Sequence, residues 1–237
     1  MKALEIDKID TYYGTSHILH GLSLEVPERN LVCLLGRNGA GKTTAIRSIM
    51  GMTRPARGSI KIFDQEVAGS RANSIYAKGV RIVPQGRHIF PMLTVEENLR
   101  LAIIGLPSAD VKVETEKVYQ MFPVLGERRR QKGKTLSGGE LQMLAIARAI
   151  MGTTRLLLMD EPSEGLAPVI LAQIEKIVQE LKQRNITILL AEQNLQFALQ
   201  AGDYFYIIDN GAIVFSGDKT SLQANEEIQL RYLGVGL

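Results

Sequence analysis

One glycine-rich loop limits the fold of this chain more than any other segment. It reads Gly36-Arg37-Asn38-Gly39-Ala40-Gly41-Lys42-Thr43, with Thr44 next, and lies between an apolar run, 31–35, and a helical pattern, 42–50. Glycines let successive N–H groups point at phosphate oxygens, and the helix start adds its positive dipole end. This glycine loop therefore predicts a nucleotide site, with Lys42 on the β- and γ-phosphates and the Thr43 hydroxyl on Mg²⁺.

An acid pair follows a second apolar run. Asp160 and Glu161 come directly after residues 156–159, and ligands of open α/β sheets bind at the carboxyl ends of strands. Asp160 suits the shell of a magnesium ion, while Glu161 could orient or deprotonate the attacking water. Two acids at a strand end are unremarkable alone, but beside the glycine loop they predict nucleotide hydrolysis.

A second glycine-rich segment reads Leu136-Ser137-Gly138-Gly139-Glu140, and we call it the signature segment. Ser137 and Glu140 have the spacing of a helix capping box. The two glycines also let a phosphate approach the free N–H groups of the helix start, so both interpretations hold. Since one nucleotide needs one cradle, we expect this segment to serve a nucleotide held by another copy or a related chain. The spacing of Thr94 and Glu97 predicts a capping box alone.

Hydrophobic patterns predict an α/β fold. Alternating segments indicate half-buried antiparallel strands, and continuous apolar runs indicate parallel strands covered on both faces. The alternating segments are 4–12, 18–26 and 58–63, and the apolar runs are 31–35, 156–159 and 187–190. Residues 86–150 have helical patterns with few strand signals, which predicts an inserted helical lobe. The remaining patterns predict a helix that ends near Asn185, a hairpin over 204–216 that turns at 209–211, and a final helix over 221–232.

Composition narrows the function classes. The net charge is +3, from 28 basic and 25 acidic residues with interleaved signs, so bulk charge gives no sign of nucleic-acid binding. The apolar runs are far shorter than the ~20 residues that span a bilayer, and the amino terminus lacks a secretory pattern, which predicts a cytoplasmic protein. Cys33 is expected to be a buried thiol. His17, His20 and His88 lack metal-ligand spacing, and the basic run 128–134 is expected to be a solvated loop.

The motifs together resemble the nucleotide-binding subunits of ABC transporters. They stand in family order over nearly the whole chain: the glycine loop, Gln85, 136–140, 156–161 and 163–167. The resemblance implies an ATPase with a P-loop NTPase (RecA-like) core, an antiparallel β subdomain and the helical lobe. We expect one domain, 1–237, with the core at 1–86 and 151–237 and the lobe at 87–150. It also implies ATP and Mg²⁺ as ligands, and a head-to-tail dimer in which each signature segment closes over the partner's nucleotide.

The resemblance also assigns single residues. Tyr13 resembles the aromatic that stacks on adenine, with Tyr12 as a competing candidate, and Gln85 resembles the glutamine that links magnesium and water to the permease contact. Residues 163–167 resemble the loop that touches the partner's P-loop, although Glu164 stands where a small or apolar residue is usual. Gln193 stands where most members have a histidine that contacts the γ-phosphate. An amide can donate a hydrogen bond there but cannot carry the proton.

One branch of the family resembles this chain most in the segments 83–99 and 189–194 and in its short carboxyl tail. It is the smaller of the two unequal ATPases that drive bacterial import of branched-chain amino acids, with urea and amide importers close by. The resemblance implies a homodimer or a heterodimer with a sister ATPase, two transmembrane permease subunits, an external solute-binding protein, and a peripheral place on the cytoplasmic face of the inner membrane. A soluble ABC ATPase of translation or DNA repair would need a second cassette or a long coiled-coil insertion.

Overall fold

In the part of the chain that the structure describes, ten strands form two sheets. The computed structural model describes residues 1–104 and 110–234, so eight residues of the predicted single domain, five of them in the predicted lobe, lie outside the described residues. The strands are β1 (Lys2–Tyr13), β2 (Ser16–Pro27), β3 (Leu31–Leu35), β4 (Arg57–Ile62), β5 (Gln65–Glu66), β6 (Val80–Val83), β7 (Leu156–Asp160), β8 (Thr187–Glu192), β9 (Tyr204–Asp209) and β10 (Ala212–Asp218).

Helices connect and cover these strands. They are α1 (Lys42–Ile49), α2 (Ala72–Ala77), α3 (Val95–Leu101), α4 (Val111–Met121), α5 (Pro123–Glu127), α6 (Gly138–Ile150), α7 (Pro168–Gln183), α8 (Leu195–Ala201), α9 (Lys219–Gln223) and α10 (Glu226–Ile228), with a 3₁₀ turn at Gly133–Thr135 and a π turn at Gln229–Leu233. Within the described ranges, no helix is both long and apolar enough to cross a bilayer.

The larger sheet confirms the predicted parallel core. Its strand order is β10-β9-β3-β8-β7-β6, and all neighbours are parallel except the β9–β10 hairpin. Every residue of β3, β7 and β8 is buried. Alternate residues of β3 pack on opposite faces: Leu31, Cys33 and Leu35 join the helices on one side, and Val32 and Leu34 join α1 and the second sheet on the other.

The smaller sheet is antiparallel, with the order β2-β1-β4-β5. Its buried side chains form one apolar core with α1 and one face of the parallel sheet. The alternating patterns of β1, β2 and β4 therefore predicted their type correctly, because only one face of this sheet meets the core.

The segment between β6 and β7 is helical, as the sequence predicts. Over its described residues it holds α3, α4, α5, the 3₁₀ turn and α6, and its one isolated bridge joins Thr94 and Lys132. The bounds of the lobe as a separate unit stay a prediction. Gln85 stands near the beginning of this helical segment, and the signature segment stands near its end, at the start of α6. The helices between them therefore connect Gln85 to the signature segment.

Several details differ from the predictions. The short elements β5, β6, α2 and α8 were not anticipated, because each is only 2 to 7 residues long. The single helix over 221–232 is wrong: α9 ends at Gln223, and a new turn begins after Asn225. The Asn225 side chain accepts a hydrogen bond from the Ile228 N–H at 3.1 Å, and such a local bond starts a new helix rather than continuing the old one. In contrast, α7 ends at Gln183, close to Asn185, whose φ is 62°, as predicted.

Candidate active site

The glycine loop has the backbone of a phosphate cradle. It leaves β3 and enters α1, and Gly39 and Gly41 have φ values of 82° and 115°, which favour glycine. A Cβ on Gly36 would lie 2.6 Å from the Ile208 carbonyl oxygen, so the loop passes too close to β9 for any side chain. The first N–H groups of α1 have no acceptor within the helix, and they face the end of the loop where a phosphate would bind.

Lys42 lies at the centre of the site. It is 3% exposed, and its Nζ donates to the carbonyls of Gly36 and Arg37 at 2.7 and 2.9 Å. The same Nζ lies 2.9 Å from Glu161 Oε1. Two neutral acceptors and one carboxylate thus use all three donors of the ammonium group, which satisfies a buried charge that would otherwise be costly.

The acid pair meets the glycine loop at the carboxyl end of β7. Thr43 Oγ1 donates to Asp160 Oδ1 at 3.2 Å. Burial raises the pKa of Asp160 to about 6, and the Thr43 hydrogen bond offsets part of that rise. Two of the three residues that the sequence predicted as magnesium ligands, Thr43 and Asp160, are therefore in contact. The buried carboxylate lacks a full positive partner, which is the condition a divalent cation would relieve.

Glu161 adopts an unusual backbone conformation. Its φ is 49°, a left-handed value that few residues other than glycine adopt, and its N–H donates to the Ala191 carbonyl on β8 at 2.9 Å. This backbone turn ends the alternation of β7 and directs the carboxylate to Lys42. Strain of this kind persists where surrounding contacts fix it, commonly at functional sites.

Gln85 joins this group from the loop after β6. Its Nε2 donates to Glu161 Oε2 at 3.3 Å and to Glu164 Oε2 at 3.0 Å. The structure therefore brings Gln85, which the family resemblance assigns to magnesium and water, into contact with Glu161. It also shows that Glu164, noted in the sequence only as an unusual residue, shares the Gln85 NH₂ group with Glu161.

Glu192 is a site residue that sequence reasoning missed. It is 1% exposed at the end of β8, where Oε1 accepts from the Ser163 N–H at 3.0 Å. Oε2 accepts from the N–H groups of Gln193 and Asn194 at 3.0 and 3.1 Å, and its own carbonyl accepts from the Gly36 N–H at 3.2 Å. Burial raises the pKa of Glu192. The buried carboxylate thus joins the loop at Ser163 to the loop after β8, while the backbone carbonyl of the same residue holds the glycine loop. The available signal was an acidic residue at the end of a largely apolar strand.

The signature segment has its predicted local structure. Ser137 and Glu140 form a complete capping box at the start of α6, as Thr94 and Glu97 do at α3. A Cβ on Gly139 would meet Ile170 at 2.8 Å, so this glycine allows α6 to pack on α7. In the part of the chain that the structure describes, the segment makes no hydrogen bond or ion pair with the glycine loop or the acid pair; its Glu140 instead pairs with Arg128 at 2.6 Å.

The three remaining candidates lie at the surface. Tyr12 stacks on His17, with ring centroids 4.1 Å apart, whereas Tyr13 is 43% exposed and its hydroxyl lies 3.4 Å from Thr53 Oγ1. The open ring of Tyr13 is thus the better placed of the two to stack on a base. Gln193 is exposed and contributes only its backbone N–H to the network described above.

Comparisons with known proteins agree with this geometry. Residues 19–164 match the family described as "ABC transporter". The chain is 43% identical, over 98% of its length and 99% of the relative's, to the high-affinity branched-chain amino acid transport ATP-binding protein BraG of Pseudomonas aeruginosa. It is 32% identical, over 96% and 97%, to the probable branched-chain amino acid transport ATP-binding protein LivF of Archaeoglobus fulgidus.

Solved structures are similar over the whole fold. A nucleotide-free ATP-binding cassette from an ABC transporter superposes with a TM-score of 0.87 at 25% identity and covers 100% of both chains. The ADP conformation of another such cassette gives a TM-score of 0.82 at 27% identity, over 95% of this chain and 94% of that one.

Proposed function

The chain belongs to the ABC transporter family of ATP-binding proteins, and from this premise we propose that its acid pair and glycine loop hydrolyse ATP-Mg²⁺ to drive an importer of branched-chain amino acids. The fold is a P-loop NTPase fold, and the chain is a nucleotide-binding ATPase subunit that works with membrane permease partners. The observation that carries the site assignment is the buried contact of Lys42 with Glu161, beside Asp160, Thr43 and Gln85.

Magnesium fits the residues present. Thr43 and Asp160 offer hydroxyl and carboxylate oxygens, which are the donors that Mg²⁺ prefers, and the carboxamide of Gln85 lies beside them. When bound, the ion would neutralise charge on the β- and γ-phosphates. The raised pKa of the buried Asp160 supports this assignment, because a nearby cation stabilises the ionised form.

The nucleotide would lie along the glycine loop. The N–H groups of residues 38–44 would bind its phosphates, and Tyr13 would stack on adenine. Lys42, now paired with Glu161, would exchange that carboxylate for phosphate oxygens. Glu161, released from Lys42, would accept the proton of the attacking water, with the Gln85 amide holding it in place.

The signature segment would serve a second nucleotide. Its Ser137, Gly138 and Gly139 stand at the capped start of α6, which is a suitable anion site, and they make no polar contact with the glycine loop within the described residues. We propose that ATP bridges the glycine loop of one subunit and the signature segment of another, either a copy or a sister ATPase. ATP favours the closed pair and hydrolysis reopens it. Residues 163–167 would touch the partner's loop.

The permease would contact the groove beside Gln85. This groove has a volume of about 260 Å³, and its walls include Tyr76, Pro84 and Arg87. Because Pro84 directly precedes Gln85 in the chain, closure of the dimer would move the groove. The names of the two relatives above support branched-chain amino acids as the solute. We place the subunit on the cytoplasmic face of the inner membrane, with an external protein that delivers the solute.

A pull-down followed by transport tests this proposal. The tagged chain should recover two integral membrane proteins and a second ATPase from detergent-solubilised native membranes. The complex in proteoliposomes should take up leucine in an ATP-dependent manner, and the Glu161→Gln variant of the same complex should not. Uptake of urea but not leucine would contradict the solute, whereas recovery of ribosomes or DNA would contradict the transport function.

A further inference from the structure

A large cavity lies at the amino ends of the parallel strands, on the side of the sheet away from the glycine loop. Its volume is about 930 Å³, and its walls include Gly79, Arg155 and Ile186, which directly precede β6, β7 and β8. The glycine loop instead follows the carboxyl end of β3. Since β3 and these three strands are parallel, the cavity lies at the amino ends of the strands and the proposed ATP site lies at their carboxyl ends.

The lining of this cavity is strongly basic. Five basic side chains contribute to it, against Glu114 as its acid: Lys78, Arg81, Lys117, Arg155 and Arg184. Glu114 pairs with Lys117 at 2.7 Å, and Arg184 pairs outside the lining with Glu180 at 2.6 Å. Five bases against these two acids leave three positive charges. The helices α6 and α7 also end beside the cavity, but the dipole of each helix contributes only about half a negative charge there.

Three of the bases have no acidic partner among the described residues: Lys78, Arg81 and Arg155. Lys78 donates to the Gln65 carboxamide. Arg155 lies over the ring of Phe63 and Arg81 over the ring of Tyr76, each 3.5 Å from the centroid. Aromatic faces and neutral oxygens hold these cations in place but leave their charge uncompensated.

Arg81 is the most constrained of the three. It is 3% exposed, donates to the carbonyls of Tyr76 and Val80 at 2.6 and 2.9 Å, and has an Nε without a partner among the described residues. Burial lowers its pKa. A buried guanidinium is costly unless an anion compensates it, so an anion in the cavity would supply a charge that the chain itself does not.

We propose that this cavity is a second ligand site, which binds a small phosphate-bearing molecule with an apolar body. Its volume is within the range of pockets for organic ligands, about 300–1,000 Å³. Lysine and arginine donors on several walls suit phosphate oxygens, while the half-buried side chains of Met121, Ile150 and Ile186 would cover the rest of the ligand. The site is separate from the glycine loop and requires no partner subunit.

Calorimetric titration of the full chain tests the proposal, with the glycine loop kept saturated with ADP and Mg²⁺. The probes are a mononucleotide, a sugar phosphate, inorganic phosphate and succinate. We expect saturable 1:1 binding of at least one organic phosphate, tighter than that of inorganic phosphate. Binding of succinate alone would contradict the phosphate class, and the absence of saturable binding by every probe would overturn the site.

Matched variants locate the binding. Lys78→Gln with Arg155→Gln should weaken it about tenfold or more, whereas Arg129→Gln with Arg130→Gln, the same charge change in an exposed loop, should change it less than twofold. Glu114→Gln removes the acid of the lining and should tighten binding. Circular dichroism shows whether each variant folds. Equal weakening by both double variants would overturn the proposal, and so would an unchanged affinity in the cavity variants.

Discussion

Replacement of Glu192 by glutamine tests whether one buried carboxylate positions the loop at residues 163–167. Glutamine keeps the shape of the side chain but turns one oxygen into an NH₂ group. If the remaining oxygen faces the N–H groups of Gln193 and Asn194, the NH₂ group faces the Ser163 N–H, and two donors oppose each other. A buried N–H without an acceptor costs about 1–3 kcal/mol.

Two further effects oppose each other. The bonds to Gln193 and Asn194 lose the strength that a charged acceptor gives. Burial of the charged carboxylate carries a desolvation cost, which is why the pKa of Glu192 is raised. The neutral glutamine does not carry this cost, which favours the variant. We therefore expect the free energy of unfolding to fall by about 1–3 kcal/mol, with the loss concentrated at residues 163–167, since the Glu192 backbone bond to Gly36 stays.

The kinetic result distinguishes positioning from simple destabilisation. If residues 163–167 act in the closed dimer, kcat should fall about tenfold for each 1.4 kcal/mol lost at that loop. The KM for ATP should change little, because the carboxylate makes no contact with the glycine loop. ATPase assays over ranges of ATP and protein concentration measure both constants, and amide hydrogen exchange reports on the loop.

A matched control uses Glu180, which is half-exposed on α7 and pairs with Arg184. Glu180→Gln makes the same chemical change at the surface, where ion pairs contribute about 0–1 kcal/mol, and should leave kcat unchanged. The positioning role is refuted if Glu192→Gln exchanges faster at residues 163–167 but hydrolyses ATP with the kcat of the unaltered chain.

Four other changes test the site. Lys42→Ala should weaken ATP binding itself, measured by equilibrium dialysis; unchanged binding would contradict the phosphate assignment. Glu161→Gln should bind ATP normally and accumulate closed dimers in size-exclusion chromatography, and rapid turnover by this variant would exclude Glu161 as the base. Gln193→His should raise ATPase activity in the assembled transporter if the amide limits the rate; no change would show that it does not. The raised pKa of Asp160, about 6 against an ordinary 3.8, means that its contribution to stability is present below pH 3.8 and lost as the pH rises through 6. In EDTA, urea unfolding should show a loss of up to about 3 kcal/mol over that range, which Asp160→Asn should remove.

The sequence predicted the site residues whose spacing follows from backbone geometry. A loop with three glycines between an apolar run and a helix can form few structures, so the position of Lys42 and Thr43 beside the acid pair followed from parallel topology. The capping boxes at Thr94 and Ser137 depend on a local spacing of three residues and were equally predictable.

The unpredicted features depend on contacts between distant parts of the chain. Glu192 meets Ser163 across 29 residues, and Gln85 meets Glu164 across 79, and no local pattern encodes either distance. The break at Asn225 shows the opposite error, because helical spacing continued through a residue whose side chain accepts a hydrogen bond from the Ile228 N–H and caps a new turn. The strand β6 has only 4 residues, too few to show the alternation of buried and exposed residues by which a strand is predicted.

The contacts of Glu161 suggest how nucleotide binding and hydrolysis are coupled within one chain. Its two oxygens bind different partners, Lys42 through Oε1 and Gln85 through Oε2, and Gln85 is shared with Glu164. While Lys42 lies against Oε1, that oxygen is occupied and a water molecule cannot reach it. When phosphates draw Lys42 away, Oε1 would be open to a water molecule while Gln85 still holds the other oxygen. Under the proposed mechanism the base would therefore be available only when nucleotide occupies the glycine loop, and Glu164, on the loop proposed to touch the partner, would take over Gln85 when that loop moves. Under this reasoning Glu164→Gln should alter kcat without altering ATP affinity.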